Sequence, residues 1–456
     1  MSAHQMLAAT PPRGWNSYDS YTWKVSEHAF LDNCAAMAKT FKSTGYEYCI
    51  VDYLWFQNLE GDAQKIDGLR DPINKMHIDK FGRLQPAPDR WPSAWAPDGT
   101  PLGFKAVADK VHAMGMKFGI HIMRGISTTA VAAKSPVLGG AGATADQIGV
   151  PSELCPWWKG VMSVNCSHPA GRAFFDSITA QYADWGVDFL KNDCVFGDQY
   201  APTQIVAQSA AIRASGRPMV YSLSPGGTAI GASGAEVKIA REIAPLVNMY
   251  RVTGDDWDSW GAIDSHFAVA DSFASAGLIG VPGLSGHSWP DLDMLPLGWI
   301  TSPGSGRLPY KKTSLTHSEQ RAQMSLWAIA KSPLMFGGDA THLDPWTISV
   351  LSNPAVLSMN AHAVASHQVR FDSASAVWAA RHPTSGVTYA ALFNRRNATA
   401  EVSTSCASLG LNCTATVYEA TDLWESARPT MAVSGGEVRM RVEPHGVALL
   451  GLAPHP

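Results

Sequence analysis

The chain has 456 residues, which is too long for one ordinary hydrophobic core, so we expect two domains. Its formal charge of −4 provides no basic surface for nucleic acid or an acidic membrane, and no apolar run approaches the roughly 20 residues of a membrane-spanning helix. We therefore expect neither nucleic acid nor a membrane as a partner. Sixteen tryptophans and twelve tyrosines favour a carbohydrate ligand, because aromatic rings stack on sugar rings as well as filling cores.

The seven cysteines, an odd number, fit no dense disulfide framework. Cys406 and Cys413 bracket a short loop and could pair, while Cys155, Cys166 and Cys194 lie close enough in sequence to allow one bridge. The N-terminal segment MSAHQMLAATPPRGW contains no apolar signal core. This indicates either a cytoplasmic protein or one from which a signal peptide has been removed, so the compartment stays open.

Short apolar runs alternate with helical patterns from the N-terminus onward. The spacing of apolar residues predicts helices at 27–43, 103–114, 171–185 and 318–330. Runs of strand length occur at eight places: 14–19, 46–56, 116–123, 187–190, 218–224, 246–254, 286–294 and 333–338. Eight strands with helices between them predict an α/β fold, a (β/α)8 TIM barrel whose upper loops are enlarged by long insertions after the second and third strands.

The pattern of the sequence changes after residue 360. Short runs of alternating apolar and polar residues follow, separated by turn residues at regular spacing: SAVWAARH, VTYAALFN, ATVYEA, EVRMRVE and GVALLGLA. Such runs predict an antiparallel β-sandwich. We therefore expect a barrel domain at 1–360, with the catalytic site, and a C-terminal β-sandwich domain at 361–456.

Polar residues follow the predicted fourth and sixth strands. Lys191 and Asp193 end the buried run of strand four, and Asp255 follows strand six, which is where TIM barrels place catalysis. Taken alone, Asp193 is explained equally well as a helix cap. Strands two apart can bring their side chains together over the barrel mouth, since neighbouring strands are about 4.8 Å apart. Two facing carboxyl groups are typical of glycoside hydrolases, where one attacks the sugar while the other, with a raised pKa, acts as acid and base.

Four motifs occur in a fixed order: GWNSYD at 14–19, LKNDC at 190–194, RVTGDDWDSW at 251–260 and WPDLDM at 289–294. Together they resemble glycoside hydrolase family 27, the melibiases, which includes α-galactosidases, α-N-acetylgalactosaminidases and β-L-arabinopyranosidases. The resemblance covers both the barrel and the sandwich. It implies release of terminal α-D-galactopyranosyl-type residues by retaining double displacement, with Asp193 as nucleophile and Asp255 as acid/base. We also expect Lys191 to keep the neighbouring Asp193 charged.

The resemblance also implies a set of substrate-binding positions in this chain, with Trp55 on the same family pattern. We expect the following residues to bind the substrate: Trp15, Tyr18, Asp52, Tyr53, His121, Lys191, Ser224, Arg251 and Asp293. The partner is then a galactoside or arabinopyranoside oligosaccharide or glycoconjugate.

Several of these positions depart from the galactose-binding members. Those members have two adjacent aspartates at the end of strand two, whereas this chain has Asp52 followed by Tyr53. In those members the second carboxylate, which this chain lacks, recognises the axial 4-hydroxyl of the sugar. The first carboxylate reaches the 6-hydroxyl. A tyrosine offers one hydroxyl and adds bulk. His121 stands where an aromatic residue is expected, and Ser224 where many α-galactosidases have a glutamate facing the 2-hydroxyl.

These changes resemble a plant-type subgroup that is linked with β-L-arabinopyranosidase as well as α-galactosidase activity. β-L-Arabinopyranose is α-D-galactopyranose without its hydroxymethyl arm, so the two sugars share ring stereochemistry. We expect selectivity to shift toward the sugar that lacks the arm, and Ser224 makes α-N-acetylgalactosaminidase a third candidate. The cysteine of LKNDC lies one residue closer to the aspartate than usual, which implies that the family disulfide is rebuilt between Cys194 and Cys155.

Other acidic residues lie near the proposed pair. Asp256 is a competitor for the acid/base role, while Asp258 and Asp291 fit supporting or helix-capping positions better. His121 and His287 could bind a metal, but no H-E-x-x-H or paired-histidine spacing accompanies them, so hydrogen bonding is expected. We therefore expect no metal.

Other function classes make different predictions. A loose dinucleotide fingerprint at 140–145 lacks a preceding strand and a following acidic residue, so no cofactor is expected. The serines of YSLSPGG lack a G-x-S-x-G elbow, which argues against a serine hydrolase. A non-catalytic sugar-binding barrel would lack one carboxylate of the pair. A metal-assisted hydrolase or isomerase on the same fold would be inhibited by chelators, whereas we expect activity to be indifferent to EDTA.

Overall fold

Eight parallel strands form the barrel in a computed structural model that describes residues 6–61, 75–197, 200–225, 234–301, 311–425 and 429–455. The strands are β1 (Arg13–Asn16), β2 (Tyr48–Val51), β3 (Lys117–Met123), β4 (Phe189–Asp193), β5 (Val220–Leu223), β6 (Met249–Arg251), β7 (Gly286–Asp291) and β8 (Leu334–Phe336). From β1 to β7 each strand pairs in parallel with the next in chain order, and β8 pairs in parallel with β1. A parallel bridge between Leu295 and Phe336 joins the segment after β7 to β8 and closes the barrel. The predicted TIM barrel is confirmed.

Twelve α-helices occur in the described ranges. They are α1 (Tyr18–Tyr21), α2 (Glu27–Thr40), α3 (Lys105–Ala113), α4 (Thr128–Ala132), α5 (Ala145–Ile148), α6 (Pro169–Trp185), α7 (Pro202–Ser215), α8 (Gly234–Ile243), α9 (Trp260–Ser275), α10 (His317–Ile329), α11 (Pro345–Leu351) and α12 (Pro354–His362). The four helices predicted from spacing correspond to α2, α3, α6 and α10, whose ends lie within three residues of the prediction. Local signals explain the ends: Thr316 and Glu319 form a capping box at α10, and Gly186, with φ of 85°, ends α6.

The C-terminal region is an antiparallel β-sandwich, as predicted. Its strands are β9 (Val364–Phe371), β10 (Ser375–Arg381), β11 (Thr388–Asn394), β12 (Ala400–Ser405), β13 (Tyr418–Asp422), β14 (Met431–Val433), β15 (Glu437–Val442) and β16 (Val447–Pro454). Six strands form one sheet in the order β9-β10-β11-β16-β13-β14, and β12 pairs with β15. Apolar residues that alternate along these strands, such as Val377, Leu392, Val402 and Leu450, fill the space between the sheets.

The sandwich packs against helices α9 and α10 of the barrel. Arg395 makes two contacts with the carboxylate of Asp264 on α9, at 2.6 and 2.8 Å. His445 stacks on Trp260 at the start of α9, with a centroid distance of 4.4 Å, and its Nδ1 lies 2.7 Å from Oε1 of Glu319 on α10. The sandwich therefore stabilises the two helices that flank the chain segment following β6.

The long insertion after β3 has structure of its own. It forms a three-stranded antiparallel sheet of Ile126–Ser127, Gly149–Leu154 and Val161–Val164, which the sequence patterns did not predict. A disulfide between Cys155 and Cys194 joins this insertion to the end of β4, as the family resemblance implied, and Cys406 pairs with Cys413 in the sandwich. Cys166 is a free thiol. None of the helices within the described ranges has the length and apolar character needed to cross a lipid bilayer.

Candidate active site

A pocket of about 190 Å3 opens at the C-terminal ends of the barrel strands. Nine of the eleven predicted site residues line it: Tyr18, Asp52, Tyr53, His121, Lys191, Asp193, Arg251, Asp255 and Asp293. The lining residues follow or end strands β1, β2, β3, β4, β6 and β7, so six of the eight strands contribute to one pocket. The predicted convergence of carboxyl groups from β4 and the end of β6 over the barrel mouth therefore occurs.

Three strands are followed by residues in the left-handed region of backbone space. Leu54 follows β2 with φ of 61°, Cys194 follows β4 with φ of 61°, and Asp293 follows β7 with φ of 84°. Such conformations cost roughly 1–3 kcal/mol each and persist only where surrounding contacts hold them. Cys194 is held by its disulfide and by Arg124, whose Nε donates to the Cys194 carbonyl at 2.7 Å. The pocket rim is thus shaped by strained turns that the rest of the fold stabilises.

Asp193 ends β4 with a carboxylate that is largely enclosed. Its Oδ1 accepts from the backbone N–H of Cys194 at 2.6 Å, and its Oδ2 lies 3.3 Å from Nε2 of His121. Burial alone raises the pKa of this carboxyl group, but the close contact and charge of His121, with the charges of Lys191 and Arg251, lower the pKa below its usual value. Asp193 is therefore ionised at neutral pH.

His121 lies between two carboxylates on the pocket floor. Its Nδ1 is 3.0 Å from Oδ2 of Asp52, and the same oxygen accepts from Nζ of Lys191 at 3.2 Å. The two histidine contacts have ion-pair distances without the alignment of good hydrogen bonds. Despite burial, Asp52 raises the pKa of both His121 and Lys191, and these two groups hold the pKa of Asp52 far below its usual range.

Lys191 lowers the pKa of Asp193, as expected, but it does so without a direct contact. The ion pair that its ammonium group makes is with Asp52, whereas the cation in contact with Asp193 is His121. Adjacent positions on a strand point to opposite faces, but Lys191 and Asp193 are two apart and share a face. The lysine side chain extends instead toward the neighbouring carboxylate from β2, so its effect on the pKa of Asp193 is through space.

Asp255 lies at the pocket mouth, where 53% of its side chain is exposed. Nη2 of Arg251 donates to its Oδ1 at 2.7 Å, and Nη1 of the same guanidinium lies 3.5 Å from Oδ1 of Asp293. Enclosure by the pocket walls raises the pKa of Asp255. The charge of Arg251 opposes this rise, but the negative charges of Asp293 and Asp193 add to it, so the net shift is upward.

The remaining acidic residues of this region have other partners. The carboxyl group of Asp256 accepts from Nε2 of Gln323 on α10 at 2.6 Å. Asp258 binds Nζ of Lys311 and the backbone N–H of Ser314. Oδ1 of Asp291 accepts from the N–H of Asp293 at 2.9 Å, and burial with the charge of Asp293 raises the pKa of Asp291 to about 7.

Two predicted binding residues lie outside the pocket. Trp15 is inside β1, is fully buried against Tyr21 and Phe30, and donates from Nε1 to the carbonyl of Gly338 at 2.8 Å. Its position within the strand, before the strand ends, places it in the core. Ser224 is buried below the pocket, beside a separate cavity of about 20 Å3 in the barrel interior.

Trp55, also on the family pattern, is a core residue. It has no exposed surface, and its Nε1 donates to the carbonyl of His121 at 2.7 Å. It therefore supports the backbone of β3 beneath the pocket, and it can influence His121 through that strand.

Four aromatic rings form a continuous wall along one side of the pocket, which we call the aromatic wall: Trp157, Tyr53, Tyr18 and Trp257. Successive ring centroids are 6.1, 5.8 and 6.2 Å apart. Tyr53 also lies 5.7 Å from the ring of His121. The ring of Tyr53 is thus packed on three sides.

Sequence reasoning did not identify Asp19, Trp257, Met294 and Trp157 as lining residues, and Asp256, the alternative acid/base, also lines the pocket. The first three lie inside the four motifs, so the motifs themselves were the available signal. Trp157 belongs to the insertion, two residues after Cys155, and the bond from Cys155 to Cys194 brings it to the pocket. Within the described residues no group of three or more histidine, cysteine, aspartate or glutamate side chains is arranged to hold a metal ion.

An eight-stranded barrel with paired carboxyl groups at its mouth and a β-sandwich behind it defines a glycoside hydrolase. Residues 159–362 match the family model described as alpha galactosidase A, a melibiase model, and residues 372–452 match the model of the alpha galactosidase C-terminal β-sandwich domain. The chain belongs to glycoside hydrolase family 27, the melibiases. The predicted family and the predicted glycosidase class are confirmed.

Similar proteins cover nearly the whole chain. An α-galactosidase of Coffea arabica is 30% identical over 453 residues, 98% of this chain and 95% of that protein. The structure of a family 27 β-L-arabinopyranosidase from Geobacillus stearothermophilus has 36% identity and a TM-score of 0.86, covering 98% of this chain and 97% of that one. A variant of that enzyme was solved in complex with arabinose. A predicted α-N-acetylgalactosaminidase from Bacillus halodurans has 33% identity and a TM-score of 0.81, covering both chains fully.

Proposed function

We propose that this glycosidase works by retaining double displacement, with Asp193 as nucleophile and Asp255 as acid/base. The supporting observation is that these two carboxyl groups line one pocket while their pKa values are shifted in opposite directions. A lowered pKa keeps a nucleophile charged, and a raised pKa keeps an acid protonated at neutral pH.

The two groups then perform two successive steps. In the first, a carboxylate oxygen of Asp193 bonds to the anomeric carbon as the bond to the leaving oxygen breaks, and Asp255 transfers its proton to that oxygen. In the second, Asp255 accepts a proton from water, the water oxygen bonds to the anomeric carbon, and Asp193 leaves as a carboxylate. The product keeps the anomeric configuration of the substrate. His121 and Arg251 hold the two carboxyl groups in place throughout.

We propose an exo action on a terminal sugar, because a pocket of about 190 Å3 suits a single pyranose ring. The ring is α-D-galactopyranosyl or β-L-arabinopyranosyl, which have the same stereochemistry at every ring carbon that they share. By family resemblance Asp52, Lys191, Arg251 and Asp293 contact its hydroxyl groups. Their mixture of charged acceptors and donors suits a sugar with several hydroxyls fixed in one geometry.

Tyr53 favours the arabinopyranoside over the galactoside. It occupies the position of the second aspartate of galactose-binding members, and its ring contacts with Tyr18, His121 and Trp157 oppose rotation away from an incoming hydroxymethyl arm. The 36% identical β-L-arabinopyranosidase supports this preference. The curated α-galactosidase relatives make the α-D-galactoside the second candidate substrate. The N-acetylgalactosaminide is third, because Ser224 does not line the pocket.

Hydrolysis of three matched nitrophenyl glycosides tests the proposal: β-L-arabinopyranoside, α-D-galactopyranoside and N-acetyl-α-D-galactosaminide. We expect kcat/KM to fall in that order. A strong preference for the galactoside would refute the argument from Tyr53. Proton NMR of the first sugar released distinguishes retention from inversion, and an inverted product would refute double displacement.

A further inference from the structure

Asp256, the residue after the proposed acid/base, is attached to the fold at both its backbone and its side chain. Its N–H donates to Oδ2 of Asp293 at 2.8 Å, and its Oδ2 accepts from Nε2 of Gln323 at 2.6 Å. Only 2% of the residue is exposed. Hydrogen bonds to Asp293, which follows β7, and to Gln323 on α10 therefore hold the segment that contains Asp255.

His266 on α9 faces the second oxygen of this carboxyl group. Its Nε2 lies 4.0 Å from Oδ1 of Asp256, and neither atom has a hydrogen-bond partner within the described ranges. Nδ1 of His266 lies 2.5 Å from the carbonyl of Ala262, so that nitrogen is the donor and Nε2 of the neutral ring has a lone pair. The ring stacks on Trp327, which donates from its own Nε1 to the carbonyl of Asp293 at 2.8 Å. The ring of His266 is therefore fixed, with Nε2 facing Oδ1 of Asp256.

A closed ring of contacts connects this carboxyl group to the reaction. One nitrogen of Arg251 holds Asp255, another faces Asp293, and Asp293 accepts from the N–H of Asp256. A displacement of Asp256 would therefore move Asp255 relative to the sugar-binding groups. It would leave Asp193 and His121 in place, since they lie on β4 and β3.

We propose that Asp256 is a positioning residue that holds the acid/base Asp255 in line with the leaving-group oxygen. This inference rests on the proposed role of Asp255. Enclosure favours the uncharged form of the Asp256 carboxyl group, in which Oδ2 accepts from Gln323 and Oδ1 faces Nε2 of His266 at 4.0 Å. Burial and the charges of Asp293 and Asp19 raise the pKa of Asp256 well above its usual value, against Gln323 and Arg251, and burial lowers the pKa of His266 despite the carbonyls of Ala262 and Leu292.

Two substitutions separate positioning from other roles. Asp256→Asn keeps one acceptor and one donor in the same shape as an uncharged carboxyl group, so we expect it to retain most activity. Asp256→Ala loses the side-chain contact with Gln323 and the group that faces His266, and keeps only the backbone N–H bond to Asp293. We expect its kcat/KM, which reports the first step alone, to fall about 100-fold on an alkyl glycoside, whose leaving group needs a proton, and less than about 5-fold on a dinitrophenyl glycoside, whose leaving group does not.

Control variants identify which claim fails. Asp255→Ala should lose more kcat/KM on the alkyl glycoside than on the dinitrophenyl glycoside. If it does not, the proposed function fails. If Asp255→Ala behaves as expected but Asp256→Ala loses activity equally on both substrates, the positioning role alone is overturned. If Asp256→Asn is as inactive as Asp256→Ala, the inference that the carboxyl group of Asp256 is uncharged is overturned.

Two further variants test specificity and folding. Asp258→Asn weakens a buried contact with Lys311 in the same segment, and we expect any loss to be equal on both substrates. If Asp256→Ala does not fold, Gln323→Leu removes the donor from α10 without entering the pocket. A selective loss on the alkyl substrate supports the inference, and a uniform loss or none overturns it.

Discussion

Nε2 of His121 lies 3.3 Å from Oδ2 of Asp193, at the end of a buried chain that also includes Asp52. A histidine with both ring nitrogens facing carboxylates is stabilised in its charged form, and its pKa is raised despite burial. One side chain thus balances two negative charges on the pocket floor. Asp193, the proposed nucleophile, depends on this cation more directly than on Lys191, the partner that proximity in sequence suggested.

Replacing His121 with glutamine tests this dependence. The positive charge of His121 lowers the pKa of Asp193, so its removal raises that pKa, and the fraction of ionised nucleophile falls as pH decreases from neutral. We expect the acidic limb of the kcat/KM profile to move to higher pH. The measurement is a pH series on the nitrophenyl arabinopyranoside.

Lys191→Gln is the matched control, because its charge acts on Asp193 only through space. Its acidic limb should move less than that of His121→Gln. An unchanged acidic limb in His121→Gln, or a larger shift in Lys191→Gln, would contradict the assignment of His121 as the main cation.

The roles of the two aspartates predict opposite products with azide. Asp193→Ala should lose kcat by at least about 10,000-fold with its fold intact, because no nucleophile remains. Azide can then attack from the vacated side and give a glycosyl azide of inverted configuration. Asp255→Ala still forms the glycosyl-enzyme from an activated substrate, so azide attacks the intermediate and gives the retained configuration.

NMR of the azide products and circular dichroism of the variants are the measurements. Wild-type-like activity in Asp193→Ala would remove it as nucleophile. If the two variants gave products of the same configuration, the division of roles between the aspartates would be wrong.

The barrel could be predicted because its apolar runs must be buried on both faces. Strand two shows where this reasoning loses accuracy. The run at 46–56 is apolar almost throughout, yet β2 ends at Val51, and Trp55 and Phe56 are buried from the turn that follows. Leu54 has positive φ, and its carbonyl accepts from the buried guanidinium of Arg90 at 2.6 Å. An apolar run predicts that a segment is buried in the core. It does not show whether that segment is a strand or a turn.

The site shows a similar division. Asp193 and Asp255 could be predicted because parallel strands end on one face of the barrel, whereas Asp52 and Asp293 were predicted from the resemblance to family 27. Trp157 could not, because its position depends on a disulfide that joins an insertion to β4. The partners of Lys191 and His121 could not be predicted either, because they follow from side-chain reach across neighbouring strands.

Tyr53→Asp should change the choice of sugar. It removes the ring beside Tyr18 and Trp157 and restores the paired carboxylates of galactose-binding members, so space and an acceptor for the hydroxymethyl side become available. We expect the ratio of kcat/KM for the α-galactoside to that for the arabinopyranoside to rise at least about 10-fold.

Tyr53→Phe separates bulk from hydrogen bonding, because it keeps the ring and removes the hydroxyl. If the bulk of the ring excludes the hydroxymethyl arm, Tyr53→Phe should keep the wild-type preference for the arabinopyranoside. A galactoside ratio that rises equally in Tyr53→Phe would show that the hydroxyl, not the ring, sets the selectivity.

The two disulfides should differ in what they support. The bond between Cys155 and Cys194 closes a 39-residue separation and holds Trp157 against the pocket, while the bond between Cys406 and Cys413 spans seven residues in the sandwich. The loop-entropy relation gives about 4 kcal/mol of stability for the first and about 2 kcal/mol for the second.

Replacing both cysteines of the first pair with serine should therefore lower Tm more and also raise KM, because Trp157 is released from the aromatic wall. The second pair of serine substitutions should lower Tm without changing KM. Thermal melts and steady-state kinetics on the two double variants test this, and a KM that rises equally in both would show that the insertion is held at the pocket by contacts other than its disulfide.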